Sequence, residues 1–253
     1  YKKGLGVEQN AAEALKWYLK AAEKGDGTAF SPLGWSYYQG RGAPANAQEA
    51  LKWFTKAAES GDSQAQFMVG FLNDSGKAGP RNAAEADKWY RKASEQGNMD
   101  AVTALGRLYF SGDGVPADYA QAALWYKKLA KSGDTQAQFL LGYIYESGKN
   151  GVSANPAQAI EYYKPAADKG HSLAQFHLGW LLFEGKGAAA DPQQGYVWSN
   201  LAVARLSGAE RDAAEKQRDY IASKLTPEQL RKAQQMAREF KPASCRARLR
   251  SRG

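Results

Sequence analysis

Two histidines and one cysteine are all that this chain offers for imidazole and thiol chemistry. His171 and His177 lie close together, and Cys245 stands alone near the C-terminus. This set has no metal-ligand spacing. The sequence also lacks a G-x-S-x-G elbow or any nucleophile–base arrangement. A lone thiol forms no internal disulfide, so an oxidising compartment is neither indicated nor excluded. Glycine pairs at Gly4/Gly6, Gly40/Gly42, Gly112/Gly114 and Gly185/Gly187 look at first like phosphate loops. Each falls between two helical segments, without a preceding strand or a following Gly-Lys-Ser/Thr, so they are read as hairpin turns. The expectation is a protein with no catalytic residues, no metal and no cofactor. His177 is expected to pack between helices and His171 to be solvated in a turn.

Binding is the chemistry that remains, and it resides in aromatic rings. Gly34, Gly70, Gly106, Gly142 and Gly179 occupy equivalent places in a recurring pattern. The residue after each is Trp35, Phe71, Arg107, Tyr143 or Trp180. The residue four after is Tyr38, Asp74, Phe110, Glu146 or Phe183. Seven of these ten are aromatic in a chain that is 12% aromatic, a concentration that marks them as candidate partner-binding positions. On a helix they project about 180–240° away from the apolar stripe. Two readings stay open. The rings pack on one another and on adjacent helices, or they line an apolar groove in which Asp74, Arg107 and Glu146 add polar specificity. A buried ring covers roughly 150–250 Å², worth several kcal/mol at about 25 cal/mol per Å² before association costs.

The elements that must position these residues follow from a period. Trp17, Trp53, Trp89 and Trp125 recur every 36 residues, with Ala14, Ala50, Ala86 and Ala122 before them and Gly25, Gly61, Gly97 and Gly133 after. The next copy, Tyr162-Tyr163, is displaced by one extra residue in Gly148-Lys149-Asn150-Gly151, and Trp198 belongs to the last. A fixed period of this size means stacked repeats, each touching only its neighbours. In one copy, Ala29, Leu33 and Tyr37 form the stripe of an amphipathic helix. Gly40 and Gly42 end that helix, and Asn46 caps a second one. The second helix buries Ala50, Trp53, Phe54, Ala57 and Ala58 and stops at Gly61. First helices are expected near Thr28, Gln64, Asp100, Gln136 and Leu173; second helices near Asn10, Asn46, Arg81, Asp118, Pro156 and Pro192. After Gly208 two non-repeating helices are expected, the last opened by a capping box at Thr226-Pro227-Glu228-Gln229. The expected fold is all-α: a right-handed α/α superhelical solenoid of helical-hairpin repeats over 1–208, a C-terminal capping helix pair over 209–240, and a flexible basic tail over 241–253.

Net charge is +8, and Lys241, Arg246, Arg248, Arg250 and Arg252 of the tail supply five of those charges. A nucleic-acid or membrane-surface role would rest on that tail; short basic tails are more often solvated, so nucleic acid is not the expected partner. Deleting 241–253 and measuring salt-dependent binding tests the alternative. No apolar run approaches the length of a membrane span. Tyr1 aligns with Tyr37 of the next copy. The first repeat is therefore expected to lack most of its first helix, and the sequence is read as a fragment.

The repeat Ala101, Leu105-Gly106, Tyr109, Gly112, Gly114-Val115, Ala122, Trp125-Tyr126 and Lys128 resembles the Sel-one-like repeat family, a relative of the tetratricopeptide repeat. The 36-residue spacing favours it over tetratricopeptide repeats, whose period is about 34. The resemblance covers residues 1 to about 205, and the Leu225–Gln229 segment is similar to C-terminal caps of bacterial members. Asn73 and Leu182 replace the pattern's tyrosine, and Gly76 lacks a matched Gly-x-Gly-Val, which leads us to expect looser packing there. The resemblance implies an adaptor holding another protein or peptide in a concave groove, in a bacterial periplasm or envelope complex, with the cytoplasm as the other compartment. An immunity protein that neutralises a secreted toxin is a narrower version. A hydrolase is the alternative from another class.

Overall fold

The structure is a computed structural model that describes residues 10–242. The expectations for Tyr1, Gly4/Gly6, Cys245 and the tail arginines Arg246, Arg248, Arg250 and Arg252 lie outside those residues. The described residues form thirteen α-helices and no strand. The chain divides into two compact units, 1–118 and 119–253.

Unit 1 holds α1 (Ala11–Glu23), a 3-10 turn (Gly27–Ala29), α2 (Phe30–Gln39), α3 (Ala47–Glu59), α4 (Ser63–Ser75), α5 (Ala83–Glu95) and α6 (Met99–Ser111). Unit 2 holds α7 (Tyr119–Lys131), α8 (Thr135–Ser147), α9 (Pro156–Asp168), α10 (Ser172–Glu184), α11 (Pro192–Val203), α12 (Gly208–Ala222) and α13 (Pro227–Glu239). These starts fall close to the expected ones. The first hairpin differs because Asp26 caps a separate 3-10 turn, so α2 begins at Phe30 and not near Thr28. The cap of α5 is Asn82, which leaves Arg81 outside the helix.

Short polar side chains start the helices because the first backbone N–H groups have no helical partner. Asn10, Asn46, Asn82, Asn155 and Asp191 accept from N–H groups of the second helices. Asp62, Asn98 and Asp134 do the same for first helices. The last first helix uses His171, and this corrects the expectation of a solvated ring. Its Nδ1 accepts from the Ala174 N–H at 3.2 Å, its Nε2 lies 3.0 Å from Gln136 Oε1, and its ring stacks on Phe139 at 4.6 Å. Burial lowers the pKa of His171 from its usual 6.5. A folded value below the unfolded one means that this contribution to stability is complete above about pH 6.5 and is lost as pH falls through the folded value. The unfolding free energy from urea titration should therefore fall with acidification from about pH 6.5, by no more than about 1.4 kcal/mol per pH unit. His171→Asn, which keeps a capping oxygen, should remove that dependence; an unchanged slope would refute the assignment.

Hairpins stack by burying the apolar stripe. Leu33, Leu105, Leu141 and Leu178 of the first helices are fully buried, as are Phe54, Tyr90 and Tyr163 of the second helices. Gln66 and Gln175 donate to the Ala58 and Ala167 carbonyls at 3.1 and 3.0 Å, satisfying last-turn groups of the preceding helix. Packing is not looser beside Asn73. Its amide donates back to Val69 O at 2.8 Å, and Val69 and Leu72 are buried. Each periodic tryptophan carries a lysine ammonium over its face: Lys20 on Trp17, Lys56 on Trp53, Lys92 on Trp89 and Lys128 on Trp125, at 4.2–4.7 Å. Trp125 and Trp198 are buried, whereas Trp17 is 51% exposed. In unit 2, α12 and α13 cover α11 through Tyr196, Val197, Ile221, Ala233 and Ala237. Both hydrogen bonds of the Thr226/Gln229 capping box are present.

Candidate functional site

Among the described residues, the Gly-x-Gly pairs are structural turns. Gly185 caps α10 in the left-handed conformation, and Gly187, at φ +83°, lies against the backbone of Pro156 and Ala157 at the start of α9. No space for a phosphate remains there. No helix of the described residues is long and apolar enough to cross a membrane. Among the described residues, no group of three His, Cys, Asp or Glu is arranged to hold a metal.

In unit 1 the candidate residues form a continuous chain of rings. Trp35 meets Phe54 edge-on at 5.3 Å and Tyr38 at 5.9 Å. Tyr38 meets Phe71 at 6.3 Å, Phe71 stacks on Phe67 at 6.3 Å, and Phe67 reaches Tyr90 at 5.8 Å. Edge-to-face pairs at such distances are favourable beyond the area they bury. Trp35, Tyr38 and Phe71 are consequently half-buried, and no ring of the ten candidates belongs to the exposed large apolar residues. The rings do pack on one another and still present part of their surface.

Asp74 and Arg107 meet across consecutive first helices. The Asp74 side chain is 4% exposed and accepts from Arg107 Nη2, while Arg81 Nη2 donates to its other oxygen at 2.7 Å. Arg81 Nη1 also reaches Asp113 at 2.5 Å, so this residue of the irregular turn after Gly76 ties two turns together. Burial, then the nearby Asp74 carboxylate, drives the Tyr90 hydroxyl pKa far up. Lys77, from the same turn, lies 5.1 Å from the Phe71 centroid and 5.7 Å from that of Tyr38. Phe71, Asp74, Ser75, Arg81, Arg107 and Asp113 line a cleft of about 310 Å³. Phe110 of α6 is half-buried.

In unit 2, Glu146 is half-buried and held by two partners. Tyr163 donates its hydroxyl to Glu146 Oε2 at 2.6 Å, and His177 Nδ1 lies 2.7 Å from the same oxygen. Burial alone would raise the Glu146 pKa, but the His177 hydrogen bond and charge, with the Tyr163 hydroxyl, outweigh it and hold the carboxyl below 4.5. His177 thus holds the Glu146 carboxylate as well as packing. Phe139, Tyr143, Tyr163 and Phe176 surround its ring. A carboxylate on imidazole Nδ1 is half of an acid–base device, but here the ring's neighbours are other rings, and the arrangement is a polar clasp within an aromatic cluster.

Trp180 and Phe183 pair at 5.5 Å, and α12 adds Tyr220 at 6.2 and 5.7 Å from them. Tyr220 is 49% exposed and Lys224 lies 5.1 Å over its ring. Tyr220 belongs to a helix outside the repeat, so no periodic signal points to it. Lys77 and Arg81 were equally missed; the signal for them was the mismatched turn after Gly76.

Stacked helical hairpins that carry half-buried rings on their first helices define a helical-repeat protein. The chain belongs to the Sel1 repeat family, whose pattern matches residues 1–26, 33–62, 63–98, 100–134, 135–171 and 172–205. Proteins of this family are generally scaffolds for protein interaction and are typically not enzymes. A Sel1 repeat protein from Oxalobacter formigenes is 30% identical, with a TM-score of 0.64, over 90% of this chain and 96% of its own. The protective antigen c5321 of uropathogenic Escherichia coli, which displays an SLR fold, is 31% identical with a TM-score of 0.50 over 99% of this chain. This chain spans only 61% of the length of c5321. Immunity protein Pa5087 of Pseudomonas aeruginosa is 22% identical with a TM-score of 0.35, over 84% of this chain and 75% of its own. No curated protein matches the chain.

Proposed function

We propose that the chain holds a partner protein on the ring-bearing faces of its first helices, through two anchors. One is Trp35–Tyr38–Phe71 in unit 1 and the other is Trp180–Phe183–Tyr220 in unit 2. The observation that carries this reading is that both are three-ring clusters with an ammonium over an outer ring, Lys77 over Phe71 and Lys224 over Tyr220. Such rings keep an apolar face at low entropic cost and are the residue types that dominate binding energy at interfaces. The remaining candidates, Phe110 and Tyr143, would extend the two surfaces; Asp74 and Glu146 act indirectly, by fixing Arg107 and His177.

Affinity capture from the native organism tests the reading. Trp35→Ala and Trp180→Ala should retain helical circular dichroism and lose partner affinity at least about tenfold, which is 1.4 kcal/mol or more. Tyr220→Ala, at an exposed position, should weaken capture with little cost in stability. Undiminished capture by all three variants would sink the proposal. A captured toxin would narrow the role to immunity. The setting we infer is the bacterial envelope. The similarity to the protective antigen c5321 supports that setting. Fractionation of the native protein to the cytoplasm would overturn it.

A further inference from the structure

The ring cluster of unit 1 is bordered by cations whose charge is not fully spent. Lys77 forms no ion pair among the described residues; its ammonium contacts only the Phe71 and Tyr38 rings and, at 3.5 Å, the Tyr38 hydroxyl. Arg107 is 62% exposed and uses one guanidinium nitrogen, Nη2, on Asp74. Asp74 itself is saturated, since Arg81 takes its other oxygen and its side chain is 4% exposed. Arg81 and Arg107 are thus paired with the two carboxylates Asp74 and Asp113, and Lys77 remains as an excess of one positive charge. Phe71 joins the two parts: it lines the cleft with Arg107, and Lys77 lies over its ring.

We propose that this cleft receives the carboxylate of an Asp or Glu side chain from a partner segment, with a neighbouring apolar side chain of that segment resting on Phe71 and Tyr38. The inference rests on the protein-binding reading above and adds the chemistry of the partner. Charge complementarity argues for it: the free donors of Arg107 form a planar fork suited to a carboxylate, and its attachment to Asp74 holds that fork in position. A side chain in passing fits better than a chain terminus. Phe71 sits midway along the ring chain, with Tyr38 and Trp35 on one side and Phe67 and Tyr90 on the other.

The probe is a displayed library of random peptides, blocked at their C-termini and selected on the intact chain at low salt. Selected peptides should pair Asp or Glu with an adjacent aromatic or leucine. Their affinity should fall at least about fivefold on Lys77→Glu and on Arg107→Gln, and fall with added salt. Lys77→Gln, at a side chain in no ion pair and able to keep a donor near the Tyr38 hydroxyl, gives a second variant with no salt bridge to break. Circular dichroism checks the fold of each. Neutral or basic selected peptides, or acidic ones that bind the charge variants equally well, overturn the carboxylate site. If those same peptides still depend on Trp35, the protein-binding reading survives alone. A library that yields no binder dependent on Trp35, Lys77 or Arg107 overturns both.

Discussion

Gly187→Ala lowers the stability of the chain by roughly 2–5 kcal/mol, the sum of left-handed strain and overpacking against a backbone. Gly187 has φ +83°, and an added Cβ would collide with the Pro156 carbon and the Ala157 nitrogen, and lie 2.7 Å from the Pro156 carbonyl oxygen. These are backbone atoms of the first turn of α9, which cannot rotate away. The comparison that isolates the collision is Gly97→Ala. Gly97 has the same φ, +83°, but nothing lies within 4 Å of its Cβ position. That variant should cost only the strain, about 1–2 kcal/mol. Urea titration of both variants decides it; equal losses would show that the close approach of the turn to α9 is unimportant. Gly42 makes the same approach to the Ala11 backbone in unit 1. Gly42 and Gly187 are thus packing requirements between successive hairpins.

Asp74→Ala should destabilise unit 1 by about 2–3 kcal/mol. Removing one member of a buried ion pair costs about 3–5 kcal/mol when the abandoned charge stays buried. Here the abandoned cations are Arg81, 32% exposed, and Arg107, 62% exposed, and both regain water, which brings the figure down. The fully buried Tyr90 also loses the carboxylate that its hydroxyl bonds. A double-mutant cycle with Tyr90→Phe should reveal coupling between the two sites. A loss below about 0.5 kcal/mol, the level of an ordinary surface change, would refute a structural role for the pair. Arg107 should also become more mobile, so the same variant should weaken the proposed carboxylate site.

Some of this was legible before the structure. Opposite charges at Asp74 and Arg107 stand 33 residues apart, and so do the rings of Tyr38 and Phe71. In both cases the fourth residue after one recurring glycine meets the first residue after the next. Reading the two columns against each other, rather than each alone, would have paired Asp74 with Arg107. It would have failed at Glu146, because there His177, on an earlier turn of α10, takes the carboxylate.

What the sequence by itself determined is the family, the hairpin repeat, most of the caps and the buried stripe. Each depends on spacing within one helix or on a recurrence every 36 residues, and the 3.6-residue turn converts such spacing directly into position. Only the tertiary structure decided which outward residues remain available. It turned Asp74 and Glu146 inward, made His171 a helix cap, joined Tyr220 to Trp180 and Phe183, and set Lys77 over Phe71. The partners in these contacts come from irregular turns, a non-repeating helix or neighbouring hairpins. Their meeting depends on how the hairpins stack, a through-space distance that no helical period encodes.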